Sequence, residues 1–597
     1  MDVTRIIPHL PLPTTEANMA NDHPGILLNP HHYAPGELDT ASASLMEATI
    51  AWFESQGKAK ITRDDNEGIW YDDFIEFLGE SGAFSTLMTP EGHGVGEAAS
   101  TARWDTWRNN HFSEITAFYS LGYWYAWQVS MLGLGPIFMG ENEEVKAKAA
   151  QMLADGGIFA FGLSEKEHGA DIYSSEVALT PQDDGTYLAN GSKYYIGNGN
   201  EASLVSVFAK VPSAENPDEM EYVFFVVESS HERYQLDKNT VHSPMFVSAF
   251  TLNDYPITEA DILVRGKAAF HTALNTINLC KYNLGWASIG IGTHALYEAI
   301  NHAGHRELYG GLVTDFAHVR QLFVDAYSRL TAMKLFASRA CDYMRTASDD
   351  DRRYLLYNPM VKMKVTTEGE HVVNHLWDVI AAKGFEADTY FHMAAKHIRA
   401  LPKLEGTVHV NIALIAKFMP NYFFNPAEYP EIGQQRGDQH DAYMFAQAPT
   451  RGLGNIQFHD WEQTFERFDS PNVKIFRTQA TSFRDMLAAA APDDGQAADV
   501  DFVLALGELF SMVVYAQLIL EGIELDGISA EMTEQIFDVL VRDFSMGATN
   551  LHGKATTNEK QAEFALQMIA RPHGDLDRFG NVWNEVLALI DTYELPT

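Results

Sequence analysis

Residues 161–171, Phe-Gly-Leu-Ser-Glu-Lys-Glu-His-Gly-Ala-Asp, and residues 190–199, Asn-Gly-Ser-Lys-Tyr-Tyr-Ile-Gly-Asn-Gly, lie in the part of the chain that decides the fold. Short runs rich in β-branched and aromatic residues surround them between residues 156 and 264, and this pattern predicts strands. Asp184-Gly185 and Asn190-Gly191 stand between such runs, and both pairs tolerate the positive φ of tight hairpin turns. The segment therefore predicts an antiparallel sheet or barrel of about 110 residues.

Helical patterns flank this β segment on both sides. Upstream, aromatic and aliphatic residues recur at spacings of three and four through residues 112–132. Downstream, the helical pattern returns at about residue 268 and lasts to the end, with an apolar stripe that begins at His318. Strands and helices do not alternate, which disfavours a doubly wound nucleotide-binding fold. The stripe consists of Val319, Leu322, Phe323, Ala326, Leu330, Met333, Ala337 and Cys341.

The predicted fold is mainly α with a central antiparallel β domain. A passage containing Pro, Gly and Gln, residues 426–437, is interpreted as a linker. The predicted domains are an N-terminal helical domain (1–157), a middle β-barrel domain (158–266), a C-terminal four-helix bundle (267–425) and an additional helical domain (438–597).

Composition limits the classes of partner. The 597 residues include 42 Lys plus Arg and 81 Asp plus Glu, a formal net charge of −39. A field of this sign repels nucleic acid and anionic lipid, so neither is expected as a partner. Two cysteines cannot build a disulfide framework, which favours a reducing compartment.

Two further features bear on location. Residues 1–15 carry one Arg, one Asp and three prolines, which resembles neither a secretion signal nor a transit peptide. The longest apolar stretch, residues 502–520, is interrupted by Glu508 and Gln517 and is interpreted as a buried helix. We therefore expect a cytoplasmic protein without an integral membrane segment.

Generic catalytic motifs are absent from the sequence: there is no Walker loop, HExxH, CxxC or GxSxG. His371 and His375 are four residues apart on a predicted helix and could share a metal in principle. No third ligand is evident, so both are interpreted as helix-face histidines and no metal is predicted.

Five parts of the sequence, with the two segments quoted first counted as one part, together and in order resemble the acyl-CoA dehydrogenase family over nearly the whole of the first 420 residues. The two segments quoted first are similar to the sheet of that family that faces its flavin, and Pro90-Glu91-Gly92-His93-Gly94 is similar to an upstream turn. Downstream, the matching segments are Arg306-Glu307-Leu308-Tyr309-Gly310, Lys383-Gly384-Phe385 and Leu404-Glu405-Gly406-Thr407.

The resemblance implies FAD-dependent dehydrogenation of an acyl-CoA thioester between Cα and Cβ. This reaction needs a base for the α proton and an acceptor for the β hydride, and because no side chain accepts hydride a flavin must do so. Glu405 is the expected base, since a carboxylate in a water-excluded pocket has a raised pKa. The resemblance also implies that the backbone N–H of this glutamate and a flavin hydroxyl hold the thioester carbonyl.

Other site residues are carried over from the family position by position. Arg306 matches an arginine that meets the FAD pyrophosphate, and residues 381–384 match a glycine segment that approaches the cofactor of a neighbouring subunit. The implied cofactor-binding residues are Leu163, Ser164, Gly169, Ala170, Tyr195, Ile196, Gly197, Arg306, Tyr309, Ala381, Ala382, Gly384, Thr407 and His409, and the implied substrate-binding residues are Ala170, Asn278, Lys281 and Gly406.

The sequence departs from the family pattern at four places. Gly197 replaces a threonine whose hydroxyl bonds the flavin, and Ala170 replaces a serine of the cofactor loop. Ala381-Ala382 replaces paired glycines, which predicts a different backbone approach to FAD. Asn278 and Lys281 replace an Asp and an Arg that help to hold CoA.

Three functions are compatible with the resemblance. The first is an acyl-CoA dehydrogenase of fatty-acid β-oxidation that passes electrons to an electron-transferring flavoprotein, acts on a medium- to long-chain acyl group and forms a homodimer. The second is an acyl-CoA oxidase, which the length favours but which the segment Ala381-Ala382-Lys383-Gly384-Phe385 disfavours. The third is a flavin-containing relative associated with nucleic acid, which the acidic region after Asp438 disfavours.

Overall fold

The computed structural model describes residues 25–449 and 452–596. The prediction about a targeting segment concerns residues 1–15, which lie outside the described residues. Asp39 begins the first helix by accepting hydrogen bonds from the N–H groups of Ala41 and Ser42, and Gly68 ends it with a φ of 67°. The N-terminal helices are α1 (Thr40–Glu67), α2 (Asp72–Glu80), α3 (Ala83–Met88), α4 (Thr106–Tyr119), α5 (Leu121–Met139) and α6 (Glu143–Ala154).

The predicted β region forms one eight-stranded sheet in the order β6-β7-β3-β2-β4-β5-β8, with β1 paired to β4. Most pairs are antiparallel as predicted, but β1 and β2 each pair with β4 in parallel. The central sheet is therefore mixed. Its strands are β1 (Phe159–Gly162), β2 (Ala178–Pro181), β3 (Tyr187–Gly197), β4 (Leu204–Pro212), β5 (Met220–Val227), β6 (Tyr234–Asn239), β7 (Val247–Ile257) and β8 (Ile262–Arg265).

The two predicted hairpin turns have different outcomes. Asp184-Gly185 joins β2 to β3, with Gly185 at a φ of 85°, so this prediction is confirmed. Asn190-Gly191 lies inside β3, where the register with β7 shifts, so a turn there is wrong. Gly191 has a φ of 128°, and a Cβ on it would lie 2.9 Å from Cγ2 of Val177. The glycine is needed for a bulge and a close approach within a strand rather than for a turn.

The second helical region is built on one helix of 40 residues, which is about 60 Å long. A two-stranded ribbon, β9 (Glu307–Leu308) with β10 (Gly311–Leu312), separates it from the next helix. The apolar stripe predicted after His318 is buried, except that Leu322 is half-buried. The helices are α7 (Gly266–His305), α8 (Ala317–Arg345), α9 (Tyr354–Met360), α10 (Thr366–Ile380), α11 (Tyr390–Ala400), α12 (Val408–Ile415) and α13 (Met419–Phe424).

The additional helices follow a stretch, residues 425–441, in which the structure has neither helix nor strand. α17 is long and apolar enough to cross a membrane by length and composition, but 83% of its most apolar window is buried inside the protein. It packs on α8, α12 and α18, as a core helix does. These helices are α14 (Trp461–Glu466), α15 (Pro471–Ala489), α16 (Asp494–Ala498), α17 (Val500–Asp526), α18 (Ala530–His552), α19 (Glu559–Gln567) and α20 (Leu576–Leu587).

The additional helices and the preceding bundle share one hydrophobic core. Because α17 and α18 both pack on α8, its polar residues Asp325, Arg329 and Arg339 are buried as well. Arg329 of α8 donates to Asp543 of α18 at 2.7 Å, for example. The change from helix to sheet falls between Ala154 and Phe159 and the change back at Gly266, close to the predicted divisions, whose status as domain boundaries stays a prediction.

Candidate active site

Glu405 lies in a tight turn immediately before α12. Glu405 has a φ of 50° and Gly406 a φ of 89°, so two consecutive residues adopt left-handed backbone conformations. A glutamate rarely takes this conformation, and the surrounding structure must hold it there. Thr407 ends the turn by capping α12, its hydroxyl accepting from the N–H of Val410 at 3.4 Å. The turn directs the carboxylate into the protein.

The carboxylate of Glu405 is enclosed although the residue as a whole is half-buried. Its Oε1 accepts a hydrogen bond of 2.9 Å from Nε2 of Gln128, and its buried Oε2 has no hydrogen-bond partner among the described residues. Burial raises the pKa of Glu405 from 4.5 to about 7, against the lowering effects of Gln128, Lys362 and Lys281. A carboxyl group with this pKa can exchange a proton near neutral pH.

A polar chain connects Glu405 to two long helices. Gln128 lies on α5 and accepts at its Oε1 from Nδ2 of Asn283 on α7, at 2.8 Å. Its Nε2 also donates to the carbonyl of Cys280 at 3.2 Å. Because Asn283 sets the direction of the Gln128 amide, Nε2 is left to face the carboxylate. Neither Gln128 nor Asn283 was predicted from the sequence, although a glutamine within the largely apolar α5 is unusual and could have indicated the first.

Two buried lysines lie near this carboxylate. Burial lowers the pKa of Lys362 to about 7 and that of Lys281 to about 8, while the charge of Glu405 acts to raise both. Lys362 also donates to the carbonyls of Pro402, at 2.6 Å, and of Gly406. It therefore ties together the two ends of the turn that carries Glu405. Lys362 was another residue that sequence reasoning missed.

The predicted substrate-binding residues Asn278 and Lys281 are both buried, each with 7% of its surface exposed. The carbonyl of Asn278 accepts from Nδ2 of Asn358 at 3.2 Å. The positive charge of Lys281 acts on Glu405. A role for either residue in holding CoA stays a prediction.

The two segments quoted first lie side by side. The hydroxyl of Ser164 donates to the carbonyl of Tyr194 at 2.8 Å, and the N–H of Tyr194 donates to the carbonyl of Ser164 at 3.0 Å. Tyr195 has a φ of 63° at a register shift of β3, which leaves its ring 61% exposed, whereas the next residue, Ile196, is buried. The two segments thus place the exposed ring of Tyr195 at a point of β3 where the backbone has no partner residue in β7.

Gly197 lies directly over helix α5. A Cβ on Gly197 would lie 2.8 Å from Oη of Tyr125 and equally close to Val129. Tyr125 therefore fills the space that the family's threonine side chain would need. Burial raises the pKa of the Tyr125 hydroxyl, and the nearby charge of Glu405 adds to the effect. Helix α5 thus joins the end of β3, through Tyr125, to Glu405, through Gln128.

The loop of residues 165–171 is anchored at its first residue. Glu165 accepts from Nζ of the fully buried Lys193 at 2.7 Å and from the hydroxyl of Ser175 at 2.6 Å. His168 and Glu176 come within reach of Glu165, their ligand atoms all lying within 4.8 Å of one another. Since Lys193 already compensates the Glu165 carboxylate, this group serves to hold the loop. Gly169 (φ 32°) and the exposed Ala170 follow it.

A second candidate site, besides the one around Glu405, is a cavity of about 600 Å³. It is lined by Arg306, His302 and Lys383, among others. Arg306 Nη1 is 3.2 Å from Nε2 of His302. Among the described residues, no carboxylate lies within 4.0 Å of the charged nitrogens of Arg306 or Lys383. Burial and these two positive charges lower the pKa of His302. Arg306 and Lys383 therefore offer positive charge to an anion within a cavity that Asp591 and Glu594 also line.

The remaining predicted residues lie near that cavity or after Glu405. Ala381 follows α10 with a φ of 57°, so alanine holds a conformation that glycine adopts freely. A Cβ on Gly384 would lie 2.8 Å from Nε1 of Trp377, so that position needs glycine. Tyr309 is 81% exposed and His409 is exposed. Within the described residues, no hydrogen bond or ion pair joins the Arg306 group to the Glu405 group.

Comparison with family models matches residues 160–246 to the middle domain of acyl-CoA dehydrogenases and residues 270–419 to their C-terminal domain. These two segments match domains of the acyl-CoA dehydrogenase family. Curated relatives include a 3-(aryl)acrylate reductase of Clostridium sporogenes, 23% identical over 48% of this chain and 75% of that protein, and an acyl-CoA dehydrogenase of Bacillus subtilis, 27% identical over 35% of this chain and 56% of that protein. The chain thus spans little more than half the length of the second relative.

Among solved structures, an acyl-CoA dehydrogenase of Bacillus anthracis complexed with FAD superposes with a TM-score of 0.71. The match is 15% identical in sequence and covers 94% of this chain and 96% of that one. The additional helices therefore belong to an arrangement known from a solved acyl-CoA dehydrogenase fold.

Proposed function

We propose that this protein is an FAD-dependent acyl-CoA dehydrogenase that converts an acyl-CoA to the trans-2-enoyl-CoA, with Glu405 as the base. The observation that carries the proposal is the enclosed Glu405 carboxylate, whose pKa is raised to about 7 and whose Oε2 has no hydrogen-bond partner among residues 25–449 and 452–596. An oxygen atom that is buried and without a partner is costly unless a ligand approaches it. An acyl thioester bound with its α carbon next to Oε2 would be such a ligand, because the oxygen could take the α proton.

The residues present fit FAD. The exposed Tyr195 and the adjacent Leu163-Ser164 edge suit the flat flavin ring, and the uncompensated Arg306 and Lys383 suit a diphosphate. When bound, FAD supplies the acceptor for the β hydride. Ile196, Gly197, Gly169, Ala170, Thr407 and His409 are proposed to complete its surroundings, as the family resemblance implies.

The chain's own residues account for the proton transfer. Glu405 takes the α proton as the carbon–carbon double bond forms, while the N–H of Glu405 is proposed to hold the thioester carbonyl. Gln128 fixes the direction of the carboxylate through its hydrogen bond at 2.9 Å. Lys281 and Lys362 favour the ionised carboxylate and so keep the base available near neutral pH. Ala170 and Gly406 are proposed to adjoin the thioester.

The separation of the two residue groups supports a homodimer. No hydrogen bond or ion pair among the described residues joins the Arg306 cavity to Glu405, and we propose that one FAD uses Arg306, Tyr309, Ala381, Ala382 and Gly384 of the neighbouring subunit. We also propose an electron-transferring flavoprotein as the acceptor, fatty-acid β-oxidation as the role and the cytoplasm as the location. The acyl chain is proposed to be medium to long, and the arylacrylate reductase among the relatives makes aryl-substituted chains a second class to test.

The test is to purify the protein, record its flavin spectrum and add a series of acyl-CoA thioesters, straight-chain and aryl-substituted, without oxygen. Bleaching of the flavin by one class of thioester is the expected result. Hydrogen peroxide formation in air would assign the protein as an oxidase instead. A protein that carries no flavin, or a flavin that no thioester bleaches, would contradict the proposal.

A further inference from the structure

The last residues of the chain return to the N-terminal helices. α1 is interrupted at Gly57, whose φ of 73° and ψ of 164° break the helix. The break frees the N–H of the next residue, Lys58, which donates to the carbonyl of Pro596 at 2.6 Å. A break in a helix leaves backbone N–H groups without an intrahelical partner, so the tail completes the hydrogen bonding of α1.

Two buried residues anchor this tail, which is defined here as residues 589–596. The ring of Tyr593 lies 5.1 Å from Phe118 and 5.6 Å from His294 between ring centroids, and its hydroxyl donates to Glu54 at 3.1 Å. Leu595 is 2% exposed. These contacts fix the tail against the rest of the protein.

A pair of hydrogen bonds to one side chain of α7 sets the course of the tail. Asn301 accepts at Oδ1 from the N–H of Asp591 at 2.9 Å and donates from Nδ2 to the carbonyl of Tyr593 at 2.8 Å. Asp591 adopts a φ of 59°, a conformation that Asp tolerates better than most residues do. Gly304 allows Ile590 to approach α7, since a Cβ there would lie 2.9 Å from Ile590 Cδ1.

The same anchoring turns two carboxylates outward into the cavity that contains Arg306. Asp591 and Glu594 are both exposed, in contrast to Tyr593 and Leu595, and both line the cavity together with Arg306 and Lys383. Asp591 Oδ2 lies 3.3 Å from Nε2 of His305. One cavity thus combines two cations, Arg306 and Lys383, that have no ion-pair partner among the described residues with carboxylates that remain open to solvent.

This combination suits a ligand that carries a diphosphate next to a ribose. Arginine and lysine bind phosphate oxygens, whereas an acidic side chain accepts hydrogen bonds from ribose hydroxyls. A ligand with phosphates alone would gain nothing from the carboxylates and would be repelled by them.

We propose that the C-terminal tail forms one wall of a nucleotide-binding cavity, in which Arg306 and Lys383 hold the diphosphate while Asp591 and Glu594 hold the ribose hydroxyls of the ADP half of FAD. The inference rests on the proposed function, because FAD is the nucleotide that this function requires. It also gives the additional helical domain a role, because that domain delivers the tail to the cofactor.

The experiment compares the wild-type protein with the double variant Asp591→Ala/Glu594→Ala. FAD affinity is measured by flavin fluorescence on dilution of the holoprotein, and ADP and inorganic pyrophosphate are used as competitors. The variant is expected to release FAD at least about tenfold more readily, since hydrogen bonds to two charged groups are lost. Its affinity for pyrophosphate is expected to stay the same or to increase, since two negative charges are gone.

The double variant Glu559→Ala/Glu563→Ala, which removes two exposed carboxylates of α19, is the matched control and should bind FAD as the wild type does. If the alanine variant does not fold, Asp591→Asn/Glu594→Gln replaces it, because this variant keeps the shape of the tail and the tolerance for positive φ. Its FAD affinity should lie between those expected for the wild type and the alanine variant.

The outcomes separate this inference from the proposed function. A wild type that holds FAD, with variants that hold it equally well, would overturn the role of the tail and leave the function standing. A wild type without FAD would overturn the function. In that case the role of the tail is tested by direct titration of both proteins with ADP. The tail proposal is overturned if the wild type and the variant bind ADP equally well, or if neither binds it.

Discussion

Gln128 and Glu405, which are 277 residues apart in the chain, are joined by a hydrogen bond of 2.9 Å from the amide Nε2 to the carboxylate Oε1. The bond connects α5 of the N-terminal helical region to the turn before α12. Oε2, the other oxygen, has no hydrogen-bond partner in the part of the chain that the structure describes. The relationship gives the candidate base a fixed direction, with one oxygen held by the protein and the other left for a substrate.

Replacing Glu405 by glutamine should abolish flavin reduction by acyl-CoA while the flavin stays bound. The amide has the same shape and can accept from Gln128 Nε2, but it cannot take a proton. The measurement is anaerobic bleaching in a stopped-flow instrument. Glu386→Gln, an exposed carboxylate of the same bundle, is the control and should reduce at the wild-type rate. Full activity in Glu405→Gln would show that another residue is the base.

The rate of flavin reduction should depend on pH with an apparent pKa near 7. Glu405 must be ionised to act, so below pH 7 the rate should fall and approach a loss of about tenfold per pH unit. The contribution of Glu405 to the free energy of unfolding should change with pH in the direction opposite to that of the rate. Because the folded pKa of about 7 exceeds the ordinary 4.5, the folded state retains a proton between these values, and stability contributed by Glu405 decreases as pH rises through that window. A flat rate profile from pH 5 to 8 would contradict this assignment.

Replacing Lys281 by methionine should raise the pKa of Glu405 further, since a buried positive charge that favours the carboxylate is removed. Flavin reduction at pH 7 should slow severalfold and recover at higher pH. A purely structural role would lower the rate without moving the pH profile. Lys267→Met, an exposed lysine at the start of α7, should leave the profile in place.

Replacing Gly197 by alanine should destabilise the protein by about 1–3 kcal/mol, because the new Cβ would collide with Tyr125 and Val129. Urea unfolding measures the change. Gly580→Ala in α20 is the matched control: no atom lies within 4 Å of the added Cβ, and helix propensity favours alanine by about 1 kcal/mol. Equal stability of the Gly197→Ala variant and the wild type would mean that Tyr125 moves away freely.

Replacing Arg329 by methionine should cost about 3–5 kcal/mol, because it removes the ion-pair partner of the half-buried Asp543 and one of the two cations that pair with the buried Glu368, the other being Lys364. Arg329 donates to Asp543 at 2.7 and 2.9 Å and also pairs with Glu368. Thermal unfolding is the measurement. Arg63→Met removes an exposed arginine whose partner, Asp64, also pairs with Lys60, so it should change stability little. A small effect at Arg329 would show that apolar packing alone holds α18 on α8.

Local patterns predicted the kinds of element well, and the misses have a common cause. Helix spacing predicted the stripe of α8, and Asp184-Gly185 predicted a turn, because both depend on neighbours in sequence. Asn190-Gly191 carries the same turn signal, but glycine is required at residue 191 because a Cβ there would collide with Val177, which lies earlier in the chain. A local signal cannot distinguish these two uses of glycine.

The sequence by itself determined the order of helices and sheet, the family resemblance and Glu405 as the candidate base, since motifs and periodicity are local properties of the chain. Only the tertiary structure decided what surrounds that base: Gln128 from α5, Lys281 from α7 and Lys362, which lies just before α10. It also decided that the tail meets the Arg306 cavity. The physical reason is that the pKa of a buried group and the walls of a cavity depend on residues far apart in sequence, which only packing brings together.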